Sequence, residues 1–367
     1  MQNTIVHNEG AASLEVAGTK VKLSRSIIKI GLDVHARIFV AVAQYDHLLP
    51  KSARRLAPSQ FVPWAEQLLA AGHAVHVVYE ACGFGFGLFR QLQAAGARCY
   101  VIAPRKLDEQ YTRVKTDPRD ATTLCQRLSR YLDGNTGELA VIRVPSEAEE
   151  QARHVSRQRE QLVQLRQKLE AQGRSLLVNH GLPSPAHWWK NQTWSRLSKL
   201  LPGWMVIRLE VHRPALLTLQ EQIDALSSQL EAAAPANVPV GIGKLTTVAM
   251  TREICSWERF KNRRAISSYT GLCPGEYSSG SKRIPGSVTK HGNPRLRAAL
   301  VECAWRMVRF QPDYPPVKKR LAVLCQGARA TGAQRKKAIV AVARHLAVDL
   351  WRLHTGRNTA QQLGLTI

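Results

Sequence analysis

Four carboxylates in the first third of the chain have types and positions suited to binding a divalent metal together. Asp33 and Glu80 each end a short β-branched run, while Asp117 and Asp120 share the segment Lys115-Thr-Asp-Pro-Arg-Asp-Ala121. A sheet places strand ends side by side, so Asp33 and Glu80 can converge although they are far apart in the sequence. Four acids gathered in a basic protein would repel one another unless a cation lay among them. We therefore predict that they bind Mg²⁺, as two ions roughly 4 Å apart, for phosphodiester chemistry.

The same acids have a simpler explanation, which stays open at this point. Pro118 suits the first position of a helix, which would make Asp117 the N-cap and place Asp120 one turn further on the same face. An aspartate at the N-cap, with an acid at the third helical position, satisfies the free amides of a helix start without any metal. Asp33 and Glu80 could likewise be solvated strand ends.

A hydroxyl that could attack phosphorus lies far downstream, in Tyr277-Ser-Ser-Gly-Ser-Lys-Arg283. Its serines, Ser278, Ser279 and Ser281, are surrounded by glycine and basic residues, and the nearest carboxylate is Glu276. A serine hydroxyl is a weak nucleophile at neutral pH and needs a base or a metal to help it lose its proton. We therefore expect the metals of the acidic domain to activate it. The resulting phosphoserine link would store the energy needed for rejoining, so the chain needs no nucleotide-binding P-loop.

The chain carries a large positive surplus, with 52 lysines and arginines against 27 acidic residues and a net charge of +25. The surplus is uneven, because 21 basic and 5 acidic residues lie between Ser256 and the C-terminus. Such a charge repels itself unless a polyanion neutralises it. We therefore predict a nucleic-acid partner that is bound mainly by the last third of the chain.

Two groups of residues are candidates for phosphate contacts. A glycine turn before a helix can aim backbone amides at a phosphate, although an ordinary turn would look the same; its residues are Gly241, Gly243 and Lys244. Basic residues around the serines can neutralise phosphates or stabilise a transition state, with a solvated loop as the alternative: Lys282, Arg283, Lys290, Arg295 and Arg297. The distal basic runs 318–320 and 335–337 are expected to make general phosphate contacts.

The order of elements predicts an α/β domain followed by helices. Residues 26–145 alternate β-branched runs with helical segments, which is typical of a mixed sheet covered by helices. Residues 236–367 are expected to be mainly helical and to include a helix-hairpin-helix-like segment. Residues 1–25 are polar and mixed, and we expect them to form a flexible tail.

Residues 146–235 are predicted to connect these domains through two long helices. Their leucines fall near heptad spacing, so the helices can pair with each other, as in a coiled coil, or with a second copy of the chain. Half of the chain's eight tryptophans lie between them: Trp188, Trp189, Trp194 and Trp204. We expect these rings to pack the connection between the helices, with stacking on bases as the alternative.

Cysteine usage and hydropathy bear on the compartment. Seven cysteines are scattered without a CxxC pair or a zinc spacing, which predicts reduced thiols. The N-terminal stretch lacks the apolar core of a signal peptide, and no later run approaches the ~18 apolar residues of a membrane span. A cytoplasmic protein without membrane contact is therefore expected.

Several strings in this sequence resemble a known protein family. Gly31-Leu-Asp-Val-His35, Tyr79-Glu-Ala-Cys-Gly83 and Lys115-Thr-Asp-Pro-Arg-Asp-Ala121 resemble the N-terminal domain of the DEDD transposases of bacterial insertion sequences. This family is related to Piv-type DNA invertases and has a RuvC-like, RNase H-type fold. Further strings resemble its C-terminal domain in the same order: Gly241-Ile-Gly243, Arg259-Phe260, Tyr269-Thr-Gly-Leu-Cys-Pro274, Ser279-Gly280 and Thr289-Lys-His-Gly-Asn293.

The resemblance implies a Mg²⁺-dependent recombinase that moves its own insertion sequence. In the family the four acids bind the metals, and the proposed nucleophile is a serine before a glycine, shortly after an aromatic residue. That position is Ser279 here, with Ser278 and Ser281 as close alternatives. The family also implies a noncoding bridge RNA that pairs with donor and target DNA. We further expect a homo-oligomer, a dimer or a tetramer, in the bacterial cytoplasm at the nucleoid. The chain departs from the family in its longer N-terminal tail and in Cys273 before Pro274.

Two other functions compete with this one. A RuvC-like nuclease could resolve DNA junctions with water as the nucleophile, which would leave Ser279 structural. A nucleic-acid-binding protein without catalysis could use its acids only as helix caps. Trapped protein–DNA adducts would separate the first two functions, and an Asp33→Ala protein that behaves like wild type in every functional assay would support the third.

Overall fold

The computed structural model describes residues 5–8, 11–16, 19–22, 26–104, 116–276, 284–325, 327 and 329–367. The chain divides into two compact units, Met1–Val144 and Pro145–Ile367. The predicted connector and the predicted C-terminal domain both lie in the second unit, and the boundary between them stays a prediction. Among the residues just given, no helix combines the length and the apolar character that a membrane span requires.

The first unit is built on a five-stranded sheet with helices on both faces. Its strands and helices in chain order are β1 (Ile5–Asn8), β2 (Ala11–Val16), β3 (Thr19–Lys22), β4 (Ile27–Val34), β5 (Phe39–Tyr45), β6 (Arg54–Leu56), α1 (Pro58–Ala70), β7 (Ala74–Glu80), α2 (Gly87–Ala94), β8 (Arg98–Ile102) and α3 (Asp117–Leu132). The order in the main sheet is β6-β5-β4-β7-β8. Strands β6, β5 and β4 pair antiparallel, whereas β4, β7 and β8 pair parallel, so the predicted mixed sheet is confirmed.

Strands β4 and β5 form an antiparallel hairpin. The short edge strand β6 and the strands β1 to β3 were not expected. Strands β1, β2 and β3 form an antiparallel sheet of their own within the segment predicted to be a flexible tail. The parallel strands carry nearly continuous β-branched runs because both of their faces are buried.

The two faces of the main sheet have different covers. On one face, Ile28, Ile30 and Leu32 pack with Phe61 of α1 and Leu92 of α2. On the other face lies α3, whose Ala121 and Cys125 pack against Val40 and Val42, and whose Leu124 and Leu128 pack against Val78. Side chains alternate along a strand, so Gly31 and Asp33 face α3 while Ile30 and Leu32 face away from it.

The backbone of helix α3 is in direct contact with the backbone of β4. A Cβ on Gly31 would overlap the carbonyl oxygen of Ala121 and the backbone nitrogen of Cys125. The Cys125 thiol donates to the Lys29 carbonyl at 3.2 Å. The buried Lys29 ammonium donates to Ser129 Oγ at 2.9 Å and to the Asp46 carbonyl at 3.0 Å, which ties the later part of α3 to the start of β4.

The second unit is helical apart from one short hairpin. Its elements are α4 (Glu147–Asn179), α5 (Asn191–Leu197), the 3₁₀ turn Ser198–Leu200, α6 (Gly203–Ala232), α7 (Lys244–Ile254), α8 (Arg263–Thr270), β9 (Pro274–Glu276), β10 (Pro285–Val288), α9 (Pro294–Phe310), α10 (Pro315–Lys318), α11 (Leu321–Leu324), α12 (Gly332–His354) and α13 (Ala360–Leu363). The main apolar core lies around α9 and α12, as predicted for a mainly helical C-terminal region.

Helices α4 and α6 pack side by side. The start of α4 is fixed by a capping box, in which Ser146 Oγ accepts from the amide of Glu149 and the Glu149 carboxylate accepts from the amide of Ser146. On α6 the buried residues repeat every seven positions: Leu209, Leu216, Ile223 and Leu230. This spacing is typical of coiled coils and supports the predicted pairing of the two helices. That the pair forms a supercoil stays a prediction.

Three of the four tryptophans expected to pack the helix connection form a packed plug, and the fourth, Trp204, lies at the start of α6. Trp188, Trp189 and Trp194 are buried with Leu177 and Met205. Trp188 lies so close to α4 that a Cβ on Gly173 would overlap its ring, and its indole Nε1 donates to the Glu170 carbonyl at 3.0 Å. Trp204 is half exposed and meets only His180 edge-on among the ring contacts of the described residues.

We expect Gly31→Ala to destabilise the first unit by about 3 kcal/mol, the upper end of overpacking costs. The clash is between backbones, so it is relieved only if α3 moves away from β4. Gly87→Ala at the start of α2 is the matched control, because its Cβ would meet nothing within 4 Å. Urea unfolding of both variants would test this, and equal midpoints would contradict the close α3–β4 packing.

Candidate active site

The sheet register brings Asp33 and Glu80 to the same edge. Leu32 of β4 is paired with Tyr79 of the parallel strand β7, so Asp33 and Glu80 are the next neighbours along the two strands. Adjacent strands lie about 4.8 Å apart, and paired residues point to the same face. Because Val78 packs against α3, Glu80 also faces α3. The two predicted metal ligands therefore share one strand end and one face.

Helix α3 brings the other two acids to this edge. It runs opposite to β4, with Ala121 and Cys125 over Gly31 and Ser129 near Lys29, so its N-terminus lies at the C-terminal end of β4. Asp117 and Asp120 both lie in the first turn of α3. The partial positive charge of a helix N-terminus favours acids there.

The predicted cap of α3 was wrong by one residue. Thr116 is the N-cap, and Asp117 and Pro118 are the first two helical residues. The carbonyl of Thr116, not that of Asp117, accepts the first helical hydrogen bonds, from the amides of Arg119 and Asp120. The backbone is extended at Thr116 and helical from Asp117, although the α region is disfavoured for a residue that precedes a proline.

A histidine that sequence reasoning missed joins the acids. His35 Nε2 lies 3.1 Å from Asp33 Oδ2 and 3.7 Å from Asp117 Oδ1. Side-chain exposure is 23% for Asp33, 50% for Asp117 and 53% for His35, so solvent reaches the cluster. The pattern Asp-x-His at a strand end was visible in the sequence, because residues two apart on extended backbone point to the same side.

The donor set fits a divalent cation. One ligand atom each from Asp33, His35 and Asp117 lies within 4.8 Å of the others, and among the described side chains these three form the closely spaced group. Glu80 ends the neighbouring strand β7, and Asp120 lies in the same first turn of α3 as Asp117. Carboxylate oxygens are the preferred ligands of Mg²⁺ and Mn²⁺. This edge of the sheet is therefore a candidate metal site.

The candidate nucleophile belongs to the second unit. Ser278, Ser279 and Ser281, with Lys282 and Arg283, lie outside the described residues. They form the link between the antiparallel strands β9 and β10, whose residues Pro285 and Glu276 are paired. The base of this hairpin lies within the described residues.

Close backbone contacts fix the base of the hairpin. Gly271, with φ 66°, ends α8, and a Cβ on Gly292 would overlap the Tyr269 carbonyl. The amide of Lys290 donates to the Gly271 carbonyl at 3.1 Å, and the amide of Asn293 donates to the Tyr269 carbonyl at 2.9 Å. The end of α8 and the start of α9 are therefore joined directly beneath β9 and β10.

Two predicted phosphate ligands take part in this base. Arg297 Nη1 donates to the carbonyls of Lys290 at 3.1 Å and Thr270 at 3.3 Å. Arg295 Nε donates to Glu160 Oε2 of α4 at 2.8 Å. Both guanidinium groups thus have contacts within the protein, and their role at phosphate stays a prediction, as does that of the exposed Lys290.

A buried carboxylate connects the hairpin base to α4. Glu253 of α7 accepts two hydrogen bonds from Arg157 of α4, at 2.8 and 2.9 Å, and one from Asn293 Nδ2 at 2.8 Å. The Tyr269 hydroxyl donates to the Glu253 carbonyl at 2.9 Å. Burial by itself would raise the pKa of Glu253, but the hydrogen bonds from Arg157 and Asn293 outweigh it and lower that pKa.

The glycine turn has the predicted shape. Gly241 and Gly243 both have positive φ, at 89° and 79°, and Gly243 is the N-cap of α7, followed by the exposed Lys244. The turn packs on α9, where Arg306 Nη1 donates to the Ile242 carbonyl at 3.4 Å. The amides of such a turn suit a phosphate, but phosphate binding at this place stays a prediction.

Both halves of the chain match known transposases. Residues 30–181 match a family model described as a transposase, and residues 239–317 match the model of the IS116/IS110/IS902 transposase family. A Sinorhizobium fredii protein named as a transposase, y4rJ, is 34% identical over 306 residues, covering 75% of this chain and 76% of the relative. The chain belongs to the DEDD transposase family of insertion sequences.

Other relatives agree. A second Sinorhizobium fredii protein named as a transposase, y4qE, is 30% identical over 316 residues, covering 78% of this chain and 77% of the relative. The transposase for insertion sequence element IS1111A of Coxiella burnetii is 25% identical over 325 residues, covering 83% of this chain and 84% of the relative. The transposase is thus an enzyme that acts on DNA, which contradicts the non-catalytic alternative. Its mixed sheet with flanking helices is consistent with an RNase H-like DEDD domain.

We expect Arg157→Met to destabilise the second unit of the transposase by about 3–5 kcal/mol, because it leaves the buried Glu253 carboxylate without its cation. The Glu253 side chain is only 5% exposed. Arg295→Met is the matched control, since it breaks the solvent-exposed pair with Glu160 and should cost about 0–1 kcal/mol. Equal losses in urea unfolding would contradict the buried role of Glu253.

The same carboxylate predicts a pH dependence. Since its pKa is lowered in the folded protein, Glu253 contributes stability that is fully present above its ordinary value of 4.5 and is lost as pH falls through the lower folded value. Unfolding free energies measured from pH 6 to pH 3 should therefore fall less steeply in Glu253→Gln than in wild type. Parallel curves would refute this assignment.

Proposed function

We propose that this transposase cuts and rejoins DNA strands of its own insertion sequence through a covalent phosphoserine intermediate formed by Ser279. The observation that supports the proposal is the cluster of Asp33, His35 and Asp117 at one edge of the main sheet. Glu80 is carried by the neighbouring strand and Asp120 by the first turn of α3. Acids gathered this closely repel one another, and a bound cation would relieve that repulsion. The family supplies the serine, and the position that matches it is Ser279.

In this proposal the four acids hold two Mg²⁺ ions. Bound divalent metal would supply charge stabilisation for the attacking and the leaving oxygen of an in-line displacement at phosphorus. The part of the protein itself is to fix the acids in place. Asp33 and Glu80 are held by strand register, and Asp117 and Asp120 are held by the packing of α3 on β4. Waters can complete the coordination, because half of Asp117 is exposed.

The serine step exchanges one ester bond for another. Ser279 Oγ loses its proton and bonds to phosphorus, the bond from phosphorus to one DNA oxygen breaks, and that oxygen takes up a proton. The reverse reaction with a different DNA hydroxyl releases Ser279 and reseals the strand, so no nucleotide is hydrolysed. Lys282, Arg283 and Lys290 lie in or beside the same segment and would offset the charge that develops on the phosphate.

The nucleic-acid partners follow from charge and from the family. The basic last third of the chain, with the turn at Gly241 and Gly243 and the side chains of Lys244, Arg295 and Arg297, would hold the phosphates of donor and target DNA. A noncoding bridge RNA that pairs with both DNAs is proposed from the family alone. A dimer or a tetramer is proposed as the working form, although α4 and α6 of one chain already pack against each other. Such an enzyme would act in the cytoplasm, at the nucleoid.

The phosphoserine intermediate can be tested directly. The full-length transposase would be incubated with Mg²⁺, with RNA transcribed from the noncoding part of the element and with a plasmid that carries the insertion sequence and its natural flanks. The mixture would be denatured and digested for mass spectrometry. We expect a nucleotide adduct on Ser279 in wild type and in the matched variants Ser278→Ala and Ser281→Ala. The adduct should be absent from Ser279→Ala and from Asp33→Asn.

Two results would count against the proposal. Strand cleavage by Ser279→Ala at the wild-type rate, without any adduct, would favour water as the nucleophile and hence the junction-resolving nuclease. An adduct that disappears only in Ser278→Ala or Ser281→Ala would move the nucleophile to that serine.

A further inference from the structure

His35 lies among the acids of the candidate metal site, although it is not one of the four acids of the family. It follows β4 directly, two residues after Asp33, and its imidazole lies on the same side as the Asp33 carboxylate. Its Nε2 atom is within 4 Å of carboxylate oxygens from both Asp33 and Asp117. The ring therefore lies between two groups that come from different elements.

The separations in this cluster suit a single ion. Ligands at 2.0–2.1 Å around an octahedral ion are about 3 Å apart when adjacent and about 4.2 Å apart when opposite. The His35 Nε2 atom is 3.1 Å from Asp33 Oδ2 and 3.7 Å from Asp117 Oδ1. An ion that binds both carboxylates must therefore either displace the imidazole or take its nitrogen as a ligand.

We propose that His35 Nε2 is a direct ligand of the metal ion that Asp33 and Asp117 hold. This inference rests on the proposed function, which places metal at these acids, and adds a nitrogen donor to an otherwise carboxylate site. Half of the imidazole is exposed, so an ion can reach its nitrogen from solvent. Hydrogen bonding of the ring to Asp33 alone is the competing arrangement.

A nitrogen ligand has a consequence for the choice of ion. Carboxylates and water suit Mg²⁺. An imidazole ligand instead favours the divalent transition metals, among which Mn²⁺ gains the least affinity. The site should thus prefer Mn²⁺ over Mg²⁺ more strongly than carboxylates alone would. Removal of His35 should reduce the ratio of Mn²⁺ affinity to Mg²⁺ affinity, while the carboxylates should still bind Mg²⁺.

The test uses Mn²⁺ as a spectroscopic probe on the full-length protein. Pulsed EPR detects a ¹⁴N nucleus bonded to Mn²⁺, so wild type should show nitrogen coupling, and ¹⁵N-histidine labelling should change it. We expect His35→Ala to lose the coupling and to bind Mn²⁺ at least about tenfold more weakly in calorimetry. His47→Ala is the matched control, because His47 is an exposed histidine in the turn after β5.

The outcomes separate this inference from the proposed function. Mn²⁺ that binds wild type and His35→Ala equally, without nitrogen coupling, and is lost in Asp33→Asn would overturn the role of His35 but leave the acids as a metal site. Mn²⁺ binding that survives in Asp33→Asn would place the ion elsewhere and overturn both. Nitrogen coupling that disappears in His47→Ala would also refute His35 as the ligand.

Discussion

The contact between the backbones of α3 and β4 at Gly31 is the constraint on which the candidate active site depends. Any side chain at position 31 would enter the space occupied by Ala121 and Cys125, so only glycine allows this approach. The Lys29 ammonium holds the later part of the helix through Ser129. With α3 fixed at two points, its first turn has one position relative to Asp33, and Asp117 reaches the strand end.

The acid cluster is stabilised by several effects that do not require metal. The N-terminus of α3 carries partial positive charge, which offsets the repulsion between Asp117 and Asp120. When His35 carries a proton on Nε2, it donates to Asp33 Oδ2, and its ring lies between the carboxylates of Asp33 and Asp117. The net charge of +25 adds a weak positive background. The ligands can therefore be gathered before an ion arrives, and less reorganisation is needed when it binds.

The sequence allowed the acids to be found, but not their exact partners. The β-branched runs that end at Asp33 and Glu80 predict strands, and alternation predicts their faces, because both properties are local. The register that pairs Leu32 with Tyr79 is not local and needed the structure. Nor could the approach of α3 be foreseen, although Gly31 marks it in retrospect. His35 was missed because its role as a candidate ligand depends on its distance to Asp117, which lies far away in the sequence. The cap of α3 was misplaced because proline is tolerated at either of the first two helical positions.

The Glu253 carboxylate binds both to helix α4 and to the base of the hairpin, so it couples their positions. Its carboxylate is buried and must keep charged or polar donors, which come from Arg157 on α4 and from Asn293 at the start of α9. Asn293 also caps α9 through the amides of Arg295 and Leu296 and bonds to the end of α8. A rotation of α4 that withdrew Arg157 would leave this carboxylate uncompensated, which is costly in a buried site. The orientation of α4 and the base from which the Ser279 segment extends can therefore change only together.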